Sequence, residues 1–127
     1  MAFEATYLGS NGWFIKFKNT NLIIDPWLKG DLVFPPGEWF FKGSLDQEIQ
    51  IDKDIDIILL TQGLPDHCHI PTLEMFRKDI PIICPKSAYG ILEKIGFSLI
   101  KTLKPAEKTH ELDLSFEATA GAPVPQI

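Results

Sequence analysis

Four consecutive apolar residues, Ile57-Ile58-Leu59-Leu60, give way at once to Thr61-Gln62-Gly63-Leu64-Pro65-Asp66-His67. A β-branched apolar run cut off by glycine and proline predicts a strand that stops abruptly. Loops at strand ends are where a rigid sheet holds polar side chains in fixed positions. Asp66 and His67 are therefore the first candidates for chemistry.

The residues before this segment predict an antiparallel meander. Residues 3–7 and 13–17 are rich in β-formers and are separated by Gly9-Ser10-Asn11-Gly12, a turn sequence. Trp13, Ile15 and Phe17 alternate with Phe14, Lys16 and Lys18, which gives one continuous apolar face. Asn19-Thr20-Asn21 predicts a second turn, and Asp25-Pro26 ends the third strand because proline cannot donate to a ladder. Residues 28–54, with Pro35-Pro36-Gly37 and the aromatic cluster Trp39-Phe40-Phe41, predict a long excursion, a flap over a groove or a loop folded onto its own domain.

After residue 55 the pattern becomes strand, loop, helix and strand in succession. Pro71 suits a first helical turn, where its missing N–H has no partner to lose. Residues 80–84 predict a buried strand, Ser87 a helix N-cap, Gly96 the end of that helix, and residues 97–103 and 112–119 two further strands. A β-meander followed by βαβαβ predicts an α/β layered domain.

Composition narrows the function. The 127 residues suffice for one domain, residues 1–127, and 45% apolar with 23% charged is an ordinary globular balance. A net charge of −5 without a basic block argues against nucleic acid. No apolar stretch is long enough to span a bilayer, and the N-terminus lacks a cationic segment leading into an apolar one, so no membrane is expected. Cys68 and Cys84 form neither a C-x-x-C pair nor a disulfide framework. Reduced thiols and a cytoplasmic setting are expected, with Cys84 a small buried hydrophobe.

Three segments in order carry a resemblance: Leu8-Gly9-Ser10-Asn11-Gly12-Trp13-Phe14, Ile23-Ile24-Asp25-Pro26-Trp27, and Leu59-Leu60-Thr61 leading to Pro65-Asp66-His67. Together they resemble the N-terminal half of the metallo-β-lactamase fold, in its branch of metal-dependent hydrolases and lactonases. The resemblance implies a layered αββα sandwich of which this chain supplies the first half. It implies zinc or another divalent metal, a small-molecule ester, lactone or phosphoester substrate, and a metal-activated water. Asp66 and His67 would be ligands of the second metal, Asp66 would also orient the attacking water, and Asp25 would brace the loop from behind. The family's loop is Thr-His-x-His-x-Asp-His, and here Gln62 and Leu64 replace its first two histidines. Ala120-Gly121-Ala122-Pro123 stands where a third would follow, and the later aspartate and histidine ligands have no counterpart before Ile127. Leucine has no lone pair to give, and a neutral amide is a poor zinc ligand. The expected centre is impaired, and hydrolysis weak or absent.

A structural account competes at each residue. Asp66 can accept backbone N–H groups at a loop-to-helix junction while His67 packs beside it. His69, next to Cys68, is expected to be partly exposed at a helix start rather than a ligand. His110 falls in a polar turn. A non-catalytic binding or assembly module on the same scaffold is the alternative function. A half-sandwich exposes the apolar inner face of its sheet, including one side of residues 13–17 and 57–60, and a homodimer through that face is expected.

Overall fold

The computed structural model describes residues 3–33, 42–45, 47–51 and 54–120. The Trp39-Phe40-Phe41 cluster and residues 121–123 lie outside them.

Strands β1 (Phe3–Gly9), β2 (Gly12–Phe17) and β3 (Thr20–Ile24) form the expected meander, with Tyr7 opposite Trp13 and Phe14 opposite Ile23. The excursion contains a small antiparallel pair of its own, β4 (Asp31–Val33) and β5 (Lys42–Ser44), which alternation was too short to reveal. Strand β6 (Ile57–Leu59) then joins β3 in parallel, and β7 (Ile82–Cys84) and β8 (Ile100–Thr102) extend the sheet in the same direction. The six strands lie in the order β1-β2-β3-β6-β7-β8. The antiparallel part is local in sequence, and the parallel part is built by crossovers.

The crossovers carry helix α1 (Ile70–Leu73), a single turn with Pro71 at its start, and helix α2 (Lys86–Ile95). Helix α2 begins one residue before Ser87. Its N-cap is Pro85, and no side chain caps it, so the hydroxyl expected to serve as the cap lies inside the helix. It ends as expected at Gly96, whose φ of 114° lets its N–H and that of Phe97 reach back to the carbonyl of Leu92.

The sequence 112–119 does not enter the main sheet. It folds as a hairpin, β9 (Lys108–Glu111) with β10 (Leu114–Glu117), because Leu112-Asp113 supplies a turn with Leu112 at φ 53°.

The sheet has two apolar faces. On the helix side, Phe14, Ile23, Ile58 and Ile82 join Leu60, Leu73, Ala88, Leu92 and Phe97 in the main core. On the other side, Leu22, Ile57 and Ile83 form a second cluster, against which Leu103, Leu114 and Phe116 pack from the hairpin region. Phe14 corrects the alternation pattern of strand β2, since it is buried on the helix side while Trp13 on the opposite side is 41% exposed. Among the described residues no helix is long and apolar enough to cross a membrane.

Candidate active site

The site forms where three backbone segments converge: the tip of the β1–β2 hairpin, the end of β3, and the loop after β6. Each arrives by a local constraint. Asp25 leaves strand β3 at φ 43°, and its N–H bonds the carbonyl of Leu59 at 3.0 Å, which turns its side chain toward the neighbouring strand end. A Cβ on Gly12 would stand 3.3 Å from the Asp25 carbonyl oxygen, so glycine lets the hairpin tip press against that turn. A Cβ on Gly63 would come within 2.8 Å of the Ser87 carbonyl oxygen, so the loop after β6 can lie directly on helix α2 only with glycine there.

Asp25 is the centre of the network and is 3% exposed. Its Oδ1 accepts the N–H of Thr61 at 2.8 Å, and its Oδ2 accepts the Thr61 hydroxyl. The same Oδ2 lies 2.8 Å from Nδ1 of His67, which donates to it. A carboxylate holding Nδ1–H fixes the ring and leaves the Nε2 lone pair pointing the other way, as it does behind metal-bound imidazoles. Asp25 thus takes the bracing position expected of it.

In front of His67 stands Asp66, with Oδ2 3.5 Å from Nε2. The amide of Asn11 meets both: Nδ2 donates to Asp66 Oδ2 at 3.2 Å and to the Asp66 carbonyl at 3.2 Å, and lies 3.5 Å from His67 Nε2. Asp66 Oδ1 is buried with no hydrogen-bond partner. Asp66 and His67 are therefore brought together. Gln62 is exposed and Leu64 is 55% exposed.

Asn11 was hidden in the sequence by its surroundings, because Gly9-Ser10-Asn11-Gly12 is fully accounted for as a turn. The available signal was that its amide sits at the hairpin tip, level with the strand ends that carry Asp25 and Thr61.

The other candidates have separate places. His69 is 3% exposed, not partly exposed as expected. Its Nε2–H donates to the Asp31 carbonyl at 2.9 Å, and its Nδ1 faces the Thr72 hydroxyl at 2.8 Å, so both ring nitrogens are engaged away from Asp66. Burial lowers its pKa from 6.5. The Cys68 and Cys84 thiols are both free and buried, and burial pushes each up to about 11. His110 lies on strand β9, with Nδ1 3.0 Å from the Ser115 hydroxyl.

Beside the network, at the C-terminal ends of β6 and β7, opens a cleft of about 350 Å³ lined by Thr61, Cys84, Leu103, Phe116 and Glu117 among others. This end of a parallel sheet is where α/β folds bind ligands.

Two side chains of this network carry lone pairs that a divalent ion could use. His67 Nε2 and Asp66 are oriented donors, and the orphaned Oδ1 of Asp66 is a group that a cation would satisfy. In the same loop, Leu64 has no lone pair to give and Gln62 offers only a neutral amide. Among the described residues, no three His, Cys, Asp or Glu side chains converge to hold an ion.

Comparison with known proteins agrees with this fold. No curated protein matches the chain. Among solved structures it is similar to a candidate metal-dependent hydrolase from Parabacteroides distasonis, with TM-score 0.65 and 17% identity over 92% of this chain and 44% of that one. A candidate metal-dependent hydrolase from Veillonella parvula gives TM-score 0.64 and 15% identity, covering 87% of this chain and 45% of that one. A metallo hydrolase from the archaeon Ignicoccus hospitalis gives 0.58 and 17%, covering 85% and 42%. The chain thus spans less than half the length of these structures, and at these identities the likeness establishes the fold. The family model for the beta-lactamase superfamily domain matches residues 4–123. With the strand order and the Asp25–Thr61–His67 network at the expected strand ends, this chain belongs to the beta-lactamase superfamily domain family.

Proposed function

We propose that this chain is a metallo-β-lactamase-fold, hydrolase-like protein whose two-metal centre is reduced, so that it hydrolyses esters, lactones and phosphoesters very slowly or not at all. The observation that carries this reading is Leu64, an exposed apolar side chain at a loop position where the fold's hydrolases place an imidazole. A divalent ion bound here would supply an activated water near neutral pH. In this chain Asp66 and His67 would hold it, Asp25 fixes the ring of His67, and Thr61 fixes Asp25.

Two measurements test the reading. Elemental analysis of protein purified without chelator should find well under one equivalent of zinc, and Gln62→His with Leu64→His should raise the retained amount. Turnover of a generic ester, a lactone and a phosphodiester should be at or near background. One or more tightly held equivalents, or a chelator-sensitive turnover abolished by Asp66→Ala, would sink the proposal.

A second role, assembly, is favoured by the part of the sheet that stays open. Residues 57–60, expected to be exposed on one side, are instead covered by the chain's own hairpin region, and among the described residues only the β1–β2 end is bare. Phe3 and Tyr7 are 61% and 57% exposed there, paired with Phe17 and Trp13 at ring-centroid distances of 6.4 and 5.1 Å. A second copy of the chain, related by a two-fold axis, would cover these aromatics with their own equivalents. Sedimentation at micromolar concentration should give a dimer, and a soluble monomer would exclude this role.

A further inference from the structure

The three atoms Asn11 Nδ2, Asp66 Oδ2 and His67 Nε2 define a triangle with edges of 3.2, 3.5 and 3.5 Å. Ligand atoms about 2.0–2.1 Å from a tetrahedral ion lie about 3.3–3.4 Å apart, so the triangle has the size of one face of such a site. Two of its corners are atoms whose lone pairs can ligate a metal, and one of them, on His67, is held in place from behind by Asp25. The third is an amide nitrogen that donates to Asp66 Oδ2 and to the Asp66 carbonyl, and stands 3.5 Å from His67 Nε2.

From this geometry we infer that Asn11 is the third ligand of a single divalent cation site with Asp66 and His67, its amide rotating to replace Nδ2 by Oδ1 when the ion binds. The inference rests on the reduced-centre reading above and deepens it, since it gives the one remaining ion a ligand from the hairpin tip instead of from residues 62 and 64. Without the ion, the amide nitrogen is a neutral donor to Asp66 beside His67 Nε2. With it, the same side chain turned about its last torsion presents a carbonyl oxygen to the cation. The orphaned Oδ1 of Asp66 then lies beside a positive charge instead of beside nothing. Two oxygens and one imidazole nitrogen, one of the oxygens uncharged, make a weak site that is loaded by added metal and stripped by purification. Rotation of the amide also means that the donor network and the ion exclude each other.

The test is titration of chelator-treated protein with Zn²⁺ by calorimetry, for the wild-type chain, Asn11→Ala and Asn11→Asp. The wild type should bind one Zn²⁺ weakly. Removing even an outer-shell partner of a ligand costs about 10–100-fold in affinity, so Asn11→Ala should weaken binding by about tenfold or more. Asn11→Asp, which offers oxygen in either orientation together with a charge, should tighten it and should gain more melting temperature from Zn²⁺ than the wild type does. Mn²⁺ added to ¹⁵N-labelled wild type should broaden the side-chain NH₂ pair of Asn11 together with the amides of residues 66 and 67, at the lowest Mn²⁺ levels at which any signal is lost. Wild-type affinity in a folded Asn11→Ala variant, no binding by the wild type, or an unbroadened Asn11 amide would each overturn the inference. Zinc retained tightly through purification would instead sink the reduced-centre reading, and the Asn11→Ala titration would still decide whether Asn11 is a ligand.

Discussion

Two rows of residues cross the sheet one position apart and have opposite fates. Phe14, Ile23, Ile58, Ile82 and Ile100 are neighbours in register on strands β2, β3, β6, β7 and β8, and the middle three are fully buried beneath the helices. The adjacent row runs Tyr7, Trp13, Ile24, Leu59, Ile83 and Lys101. Ile83 is 1% exposed, beneath the C-terminal hairpin, whereas Ile24 and Leu59 are half-buried and Trp13 and Tyr7 are open. Both rows are apolar along most of their length. The first finds its cover in elements that the chain itself provides through βα crossovers, and the second is covered only as far as β9 and β10 reach. Apolar patterning marks what must be buried, and topology decides whether this chain does the burying.

The contrast breaks most sharply at residues 58 and 59. Ile58→Ala empties a site with no exposure and should cost about 2–5 kcal/mol, the range for large-to-alanine changes in closed cores. Leu59→Ala, half-buried beside it, should cost well under half as much. Urea denaturation of the two variants measures the difference, and equal losses would mean that the second face is as well covered as the first.

A smaller effect is expected from the buried polar brace under α1. Thr72 is fully buried, its hydroxyl accepts the Leu28 N–H at 2.9 Å, and it faces His69 Nδ1. Thr72→Val keeps the shape and leaves both partners unsatisfied, at about 1–3 kcal/mol for a stranded buried group. The brace also sets a pH dependence. Burial lowers the His69 pKa from 6.5, so the unfolded chain takes up a proton near that pH while the folded one resists it. Stability from this group is complete above about pH 6.5 and is lost as pH falls toward the folded-state pKa. Urea midpoints between pH 8 and 5 should show the decline, and His69→Gln should flatten it.

How much of this was legible follows from the range of the interactions involved. The meander, the parallel βαβαβ succession and the Gly96 helix end came from local signals: turn residues, β-branched runs and a glycine at a positive φ. The pairing of Asp66 with His67, and of Asp25 behind them, was legible as a resemblance of segments in order. Strand sidedness at Phe14 was not, because aromatic residues occupy both faces of β2 and alternation cannot rank two apolar faces. The burial of His69 depends on the Asp31 carbonyl, 38 residues away, and the role of Asn11 on Asp66, 55 residues away. No local pattern encodes contacts at that separation. The Ser87 cap failed locally, because Pro85, extended at φ −74° and ψ 163°, already takes the N-cap position and puts Ser87 inside the first turn.

The smallest stability effect, and the most specific for the open row, is expected at Trp13. Its ring meets that of Tyr7 at 5.1 Å, tilted by 53°, and is 41% exposed, so within one chain it gains only part of its burial from its cross-strand neighbours Tyr7 and Ile24. Trp13→Thr keeps a β-former in the strand and removes most of that contact, which should change the unfolding free energy by no more than about 1 kcal/mol, the upper end for a cross-strand pair. Self-association should respond differently. If the open row is the face that a second copy covers, loss of its largest side chain should shift the sedimentation profile toward monomer while the urea transition hardly moves. A large loss of stability with no change in association would place Trp13 among the residues that the chain buries for itself, and would erase the distinction between the two rows.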